Sequence, residues 1–407
     1  MPPTKNEPNN EKAKDPEGAV HSNIALEAVA LDKMDEARAL KERNCYKEAV
    51  PLLEDALKTM DRTDSSKERR LQALIDLSFC HMRLGDFNKS FSNAKLAYEM
   101  IGTPGLPINL KGEALLEYGI SLNDIGNPEE ALKQIGRALS IFENAKNEKG
   151  ITRACICLGN IFFRTHVHGK ALAYYNRAIK MSESRGNYMS VMGVKQNVAM
   201  IKFDQGFISD AEKDFKSIVE STRKKDMLML HNYVATNLAR VYVHTGRWDD
   251  TISISEEVRE LSNKLGNKRQ SAIVTSYMAE AHVMKGDIEK AERLLDENND
   301  TVIGTGDFMT EAYALRARAI LNQEKGEFQK AYEAFRDAAN TLTKVNARSE
   351  LALIYIDWAK ALCKEGNTSQ AKVMFGKAKS IYKELQFSVR EKALDGLMRE
   401  KLETKRD

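Results

Sequence analysis

A turn residue follows an apolar run at nearly fixed intervals along this chain: Asn44, Gly85, Gly126, His166, Gly206, Gly246, Gly286, Gly326 and Gly366. The first two intervals are 41 residues and the other six are 40. A period of this size marks a solenoid, in which each unit packs on its neighbours instead of sharing one central core. The 407 residues therefore need not divide into several globular domains, as length alone suggests. Function has to be sought on a surface built of repeats.

Each unit reads as two antiparallel helices. In the third, Leu115, Tyr118, Gly119 and Leu122 fall on one helix face, Gly126-Asn127-Pro128 ends that helix and opens the next, and Ala131, Ile135, Ala138 and Leu139 mark a second buried stripe. Glycine suits a left-handed helix end and proline a first helical turn. Small residues recur where two backbones must approach. The first-helix slot holds Ala37, Ser78, Gly119, Gly159, Ala199, Ala239, Ala279, Ala319 and Ala359. The second-helix slot holds Ala49, Ser90, Ala131, Ala171, Ala211, Thr251, Ala291, Ala331 and Ala371. A bulky residue follows four positions later in most copies, as at Leu53, Tyr175, Phe215, Leu295, Phe335 and Phe375.

This order of small, small, bulky and small residues resembles the tetratricopeptide repeat over roughly residues 23–385. The family's usual unit is 34 residues, and the extra six sit between the second helix and the next first helix, at the polar turns carrying Asn147, Asn187, Asn267 and Asp307. The longer unit is similar to that of the Pins/LGN-type spindle-orientation adaptors and rapsyn-like receptor-clustering scaffolds. The resemblance implies an all-α, right-handed superhelical solenoid of about nine helix pairs. Departures narrow the partner set. Met34 and Arg38 stand where a chaperone-tail clamp needs Lys and Asn; Leu158-Gly159-Asn160 alone keeps the Leu-Gly-Asn triplet at its place in the first helix of a unit; no N-terminal lipid site or C-terminal zinc module is present.

Residues 1–22 hold four of the eight prolines and few apolar side chains, so a disordered tail is expected there. Residues 386–407 are expected to carry a last amphipathic helix, with Phe387, Leu394 and Leu397 on its apolar face, that caps the stack or docks a partner. Lys33 and Glu36 make unit one atypical, and Asn298, in place of a small residue, suggests a bend in unit seven.

With 62 basic against 59 acidic residues, net charge is +3, which argues against a nucleic-acid partner. No apolar run reaches the roughly 20 residues of a membrane helix, and no secretory leader is evident. Five cysteines without a CxxC pair read as reduced thiols. A cytoplasmic protein, with cytoskeletal association as an alternative, is expected. No catalytic motif, cofactor loop or metal cluster is expected; His166 and His168 read as a partly solvated turn, since two histidines fall short of a closed site.

The resemblance places the first helix of each unit on a concave, partner-binding face. The positions so projected are Arg153, Asn160, Phe163 and Arg164 in unit four, Gln196, Asn197 and Phe203 in unit five, and Tyr233, Asn237, Arg240 and His244 in unit six. Arginine can grip carboxylates, asparagine a peptide backbone, and aromatics supply contact area, so the expected ligand is a protein segment with acidic and apolar residues. The expected role is a non-catalytic scaffold or adaptor. Two alternatives stand beside it: a docking subunit of a cytoskeletal or axonemal assembly using the convex face, and a ligand-responsive regulatory sensor.

Overall fold

A computed structural model describes residues 16–61, 63 and 66–403, without the side chains of residues 16–24 and 403. All regular structure among the described residues is helical, in nineteen helices. The chain forms two compact units, residues 1–181 and 182–407, whose boundary falls inside one helix.

The helices leading up to that boundary are α1 (Pro16–Glu42), α2 (Tyr46–Met60), α3 (Lys67–Arg83), α4 (Phe87–Met100), α5 (Ile108–Asp124), α6 (Pro128–Asn144), α7 (Glu148–Arg164) and α8 (His168–Ser184), which spans it. Then follow α9 (Tyr188–Gln205), α10 (Ile208–Lys224), α11 (Leu228–His244), α12 (Trp248–Lys264), α13 (Lys268–Met284), α14 (Ile288–Thr305), α15 (Phe308–Glu324), α16 (Phe328–Lys344), α17 (Arg348–Glu365), α18 (Thr368–Glu384) and α19 (Ser388–Glu403). Nine pairs and a terminal helix result, as the period implied. Helix α1 is described from Pro16, so its first turns lie inside the stretch expected to stay unordered; residues 1–15 lie outside the described residues.

The small-residue slots sit where helices cross. Ala37, Ala199, Ala239, Ala279, Ala319 and Ala359 are fully buried, and so are Ala49, Ala131, Ala171, Ala211, Thr251, Ala291, Ala331 and Ala371. A Cβ added at Gly119 would lie 2.5 Å from Ile135 Cγ1, and one at Gly159 would lie 2.5 Å from Tyr175 Cε1. Tyr175, Phe215, Phe335 and Phe375 fill the space those slots leave, each with no exposed surface.

The period is finer than forty. From Lys146 to Gln386, every twentieth residue has φ between +53° and +97°. Eight of these are glycine; Lys146, His166, Asp226, Asn346 and Gln386 adopt the same left-handed turn with side chains. At many turns the next residue caps the following helix: the side chains of Asn147, Asn187, Asn267 and Asp307 accept hydrogen bonds from the backbone N–H three positions on. Such a cap stabilises a helix by about 1 kcal/mol. The extra six residues per unit thus lengthen the helices, most of which run 17 residues, and leave three-residue turns between them.

Asn298 is buried, and its amide donates to Ala272 O at 2.9 Å and Ser276 Oγ at 3.3 Å. Asn232 makes the reverse clasp one repeat earlier, from the first helix to the second, to Val258 O at 3.2 Å and Ser262 Oγ at 2.8 Å. The residue that broke the sequence pattern is therefore a polar tie between neighbouring helices.

Candidate functional site

In the first unit the inner helices carry partly buried charge pairs. The Arg153 guanidinium on α7 donates to the Glu117 carboxylate on α5, and Lys41 on α1 donates to Asp76 on α3. Glu117 is 2% exposed. Burial pushes its carboxyl up, and Arg153 opposes that shift. These four side chains, with Phe79 and Asn147, line a cavity of about 320 Å³. The remaining projected residues of this unit do not join it. Asn160 is exposed and accepts a 2.8 Å bond from Tyr175 Oη, Phe163 stacks on His168 at 5.8 Å, and Arg164 is exposed. His168 is itself buried, not part of a solvated turn, because its ring packs under Phe163; burial first, and His166 second, lower its pKa to about 4.

In the second unit the inner helices coil far enough for distant ones to meet. Arg240 on α11 reaches Glu350 on α17 at 2.9 Å, and α9 touches α19. Three projected residues meet there. The Phe203 ring, 1% exposed, takes the Arg240 guanidinium at 4.8 Å on one approach and the Arg390 guanidinium at 5.0 Å on another. His244 packs edge-on against the same ring at 5.4 Å. The other projected residues lie elsewhere on α9 and α11: Gln196, Asn197 and Asn237 are half-buried and Tyr233 is exposed. Gln196 Oε1 is buried without a hydrogen-bond partner among the described residues.

Beside this cluster lies a cavity of about 390 Å³, bounded by helices α11, α13, α15, α17, α18 and α19 together with the turn before α12 and its first residue, Trp248. One wall is apolar, from Trp248, Met284, Ile320 and Leu353. The other is charged. Arg316 sits between two carboxylates, donating to Glu280 and, at 2.8 Å, to Asp357, which also accepts from Lys360 at 3.1 Å. Burial lifts Glu280 to about 7 despite Arg316. Burial acts upward on Asp357 too, but Arg316 and Lys360 together bring it down to about 2. Three cations, Arg316, Lys360 and Arg390, therefore face two carboxylates, Asp357, which they hold ionised, and Glu280, whose charge burial disfavours. The cavity carries a positive balance.

His244 completes the site. Surrounding protein, then Arg390, depress its pKa to about 3, so its Nε2 is a neutral acceptor for the 2.6 Å bond from Arg390 Nη1. More than a third of the residue still meets solvent, and the bond geometry agrees with the direction of the shift.

The charged residues that build this site were legible as a pattern but not as partners. Arg240, Glu280 and Lys360 occupy one slot of the forty-residue repeat, and Asp204 and His244 another. Charge at a helix position flanking a buried stripe is a usable signal. That Arg240 would find Glu350, 110 positions on, depends on the coiling of the unit and is not written in either residue's neighbourhood.

Among the described residues no group of three or more His, Cys, Asp or Glu is placed to hold a metal, and no helix is long and apolar enough to cross a membrane. Stacked helix pairs with small-residue crossings define an α-helical repeat protein. Residues 228–297 match the model of the tetratricopeptide repeat family. Tetratricopeptide repeat protein 29 of Trypanosoma brucei brucei is 30% identical over 161 residues, 40% of this chain. That alignment spans about a third of the relative, 32% of its length. Among solved structures, a Rap protein complexed with competence and sporulation factor superposes with a TM-score of 0.68 at 12% identity, covering 88% of this chain and 98% of that one. The apo form of the quorum sensor NprR from B. thuringiensis superposes with a TM-score of 0.62 at 12% identity, covering 86% and 97%. The chain is therefore a helical-repeat solenoid that carries tetratricopeptide repeats over residues 228–297.

Proposed function

We propose that this chain is a non-catalytic protein–protein interaction scaffold or adaptor, and that the cavity inside its second unit receives a partner segment with acidic and apolar residues. The observation that carries the reading is the pairing of an apolar wall with an excess of cations in one cavity of about 390 Å³, a size within the roughly 300–1,000 Å³ typical of ligand sites. Lys360 is the group best placed to meet an acidic side chain: its side chain is 45% exposed, whereas Arg316 is already held by two carboxylates. Met284, 46% exposed, offers an adaptable apolar contact. The eleven projected residues do not act as one strip in this reading. Phe203, Arg240 and His244 shape the site from behind, and Arg153 and Glu117 brace the first unit.

The test is affinity capture from a native extract with wild type and the double variant Met284→Arg/Lys360→Glu. Both positions are solvent-reachable, so folding is expected to survive, and circular dichroism checks it. Specific proteins lost from the variant support the cavity. Identical capture would move the association to the convex face or the terminal segments, as a docking subunit of a cytoskeletal or axonemal assembly requires.

A ligand-responsive regulator is a second reading. It is favoured by the coiled second unit, whose helices α9 and α19 touch, so that a ligand inside could alter its pitch. The Rap protein resembled in fold was solved with a competence and sporulation factor bound. Small-angle scattering with and without a captured ligand separates a pitch change from a static scaffold.

A further inference from the structure

The most deeply engaged arginine of the second unit belongs to its terminal helix. Arg390, 7% exposed, donates from Nη2 to Phe203 O at 2.7 Å, from Nε to Asp204 O at 3.3 Å, and from Nη1 to His244 Nε2 at 2.6 Å, with its guanidinium over the Phe203 ring. Two carbonyls, a neutral imidazole and an aromatic face make a socket matched to a planar, five-donor cation. Phe203 and Asp204 lie in the last turn of α9, where Phe203 O accepts one bond from the Gly206 N–H at 3.0 Å and uses its second lone pair for Arg390. The close fit extends to Gly206, where an added Cβ would lie 3.1 Å from Val389 Cγ1 and 3.2 Å from Arg390 Cγ.

Arg390, Leu394 and Leu397 lie four and three residues apart on one face of α19, and all three line the cavity. This is the pattern by which an amphipathic helix lies in a groove. Helix α19 follows a three-residue turn after α18, packs chiefly on α18, and touches α17 and α9.

We propose that the socket of Phe203, Asp204 and His244 is a recognition site for an arginine-bearing amphipathic helix, that α19 is its resident occupant, and that a partner helix with arginine followed by leucines four and seven positions on exchanges with it. The proposal does not depend on what fills the neighbouring cavity. A short tether holds α19 at an effective concentration of roughly millimolar, so a free helix competes poorly while α19 is intact. Weakening α19 within the chain should expose the seat.

The experiment uses the full chain and a labelled peptide of residues 386–403. The chain carrying Arg390→Ala/Leu394→Ala is expected to bind the wild-type peptide at least tenfold tighter than the wild-type chain does. The peptide carrying Arg390→Glu is expected not to bind, and adding His244→Ala to the receptor is expected to weaken binding at least fivefold. A folded variant chain that binds both peptides alike, or neither, overturns the proposal. Should the variant chain fail to fold, hydrogen exchange on the wild type decides: exchange of α19 amides well before those of α17 is the required opening, and simultaneous exchange only on global unfolding overturns it.

Discussion

Arg240 and Glu350 meet at 2.9 Å across the inside of the second unit, joining helices α11 and α17 although 110 positions separate them. Both side chains are largely buried, 11% and 16% exposed. Removing one member of such a pair leaves a desolvated charge, which typically costs about 3–5 kcal/mol. Arg240→Ala is therefore expected to destabilise the second unit strongly, and Arg240→Ala/Glu350→Ala by less than the sum of the single changes. Trp248 and Trp358, the chain's two tryptophans, both lie in this unit, so denaturant unfolding followed by their fluorescence reads it selectively.

The helix crossings of the first unit give the opposite kind of test. Gly159→Ala would put its Cβ 2.5 Å from the Tyr175 ring, and overpacking of this kind costs about 1–3 kcal/mol. Gly136, on α6, has nothing within 4 Å of an added Cβ, so Gly136→Ala is expected to stabilise by up to about 1 kcal/mol. Thermal melts by circular dichroism should move in opposite directions for the two variants. Equal shifts would mean that the crossing at Gly159 is looser than described.

Asp204 supplies a pH dependence. Burial first, then the nearby Glu350, raise its carboxyl to about 7 from an unfolded value near 3.8, against the pull of Arg240 and Arg390. The folded chain then binds a proton that the unfolded chain has lost, so this stability is complete below about 4 and disappears as pH rises through 7. His244 works the other way: its pKa near 3 contributes stability above its unfolded value of 6.5, lost as pH falls toward 3. The difference between Asp204→Asn and wild type isolates the carboxylate. The variant should gain several degrees in melting temperature relative to wild type on going from pH 5 to pH 8. A difference that does not change with pH would contradict the assignment.

The left-handed turns offer a fourth test. Lys146 adopts φ +53° with a full side chain in an exposed turn, a conformation that costs an L-residue about 1 kcal/mol or more. Lys146→Gly is expected to raise the melting temperature of the first unit slightly, since glycine's added unfolded-state freedom offsets part of the gain. Gly366, at φ +97°, is the converse: Gly366→Ala should destabilise the second unit by about 1 kcal/mol or more, read by tryptophan fluorescence.

The turn residues, the small-residue crossings and the bulky residues facing them were readable because each depends on neighbours within one unit. His166 shows how far this goes: a histidine in a glycine slot still takes φ +59°. The nine helix pairs followed from the same local rules. The projected binding residues were a different matter. Gln196, Asn197, Tyr233 and Asn237 share helices with Phe203 and Arg240, yet lie outside the cluster those two form, because a helix presents several inner-facing rows and only the coil of the unit selects one. Arg390 escaped notice for the same reason. An arginine in an amphipathic terminal helix reads as solvated surface until α19 comes to rest beside the end of α9.

The twenty-residue spacing of the left-handed turns also sets how the chain should yield to force. Within the second unit, rods of about 17 residues are joined by near-identical hinges, so that unit drawn out from its ends should surrender length in even steps. One helix with its hinge releases roughly 70 Å of contour, and a pair roughly 140 Å, at about 3.5 Å per extended residue. An optical trap would then register a ruler of equal rips, except where the Arg240–Glu350 and Arg390 fastenings bind non-adjacent helices and must part together.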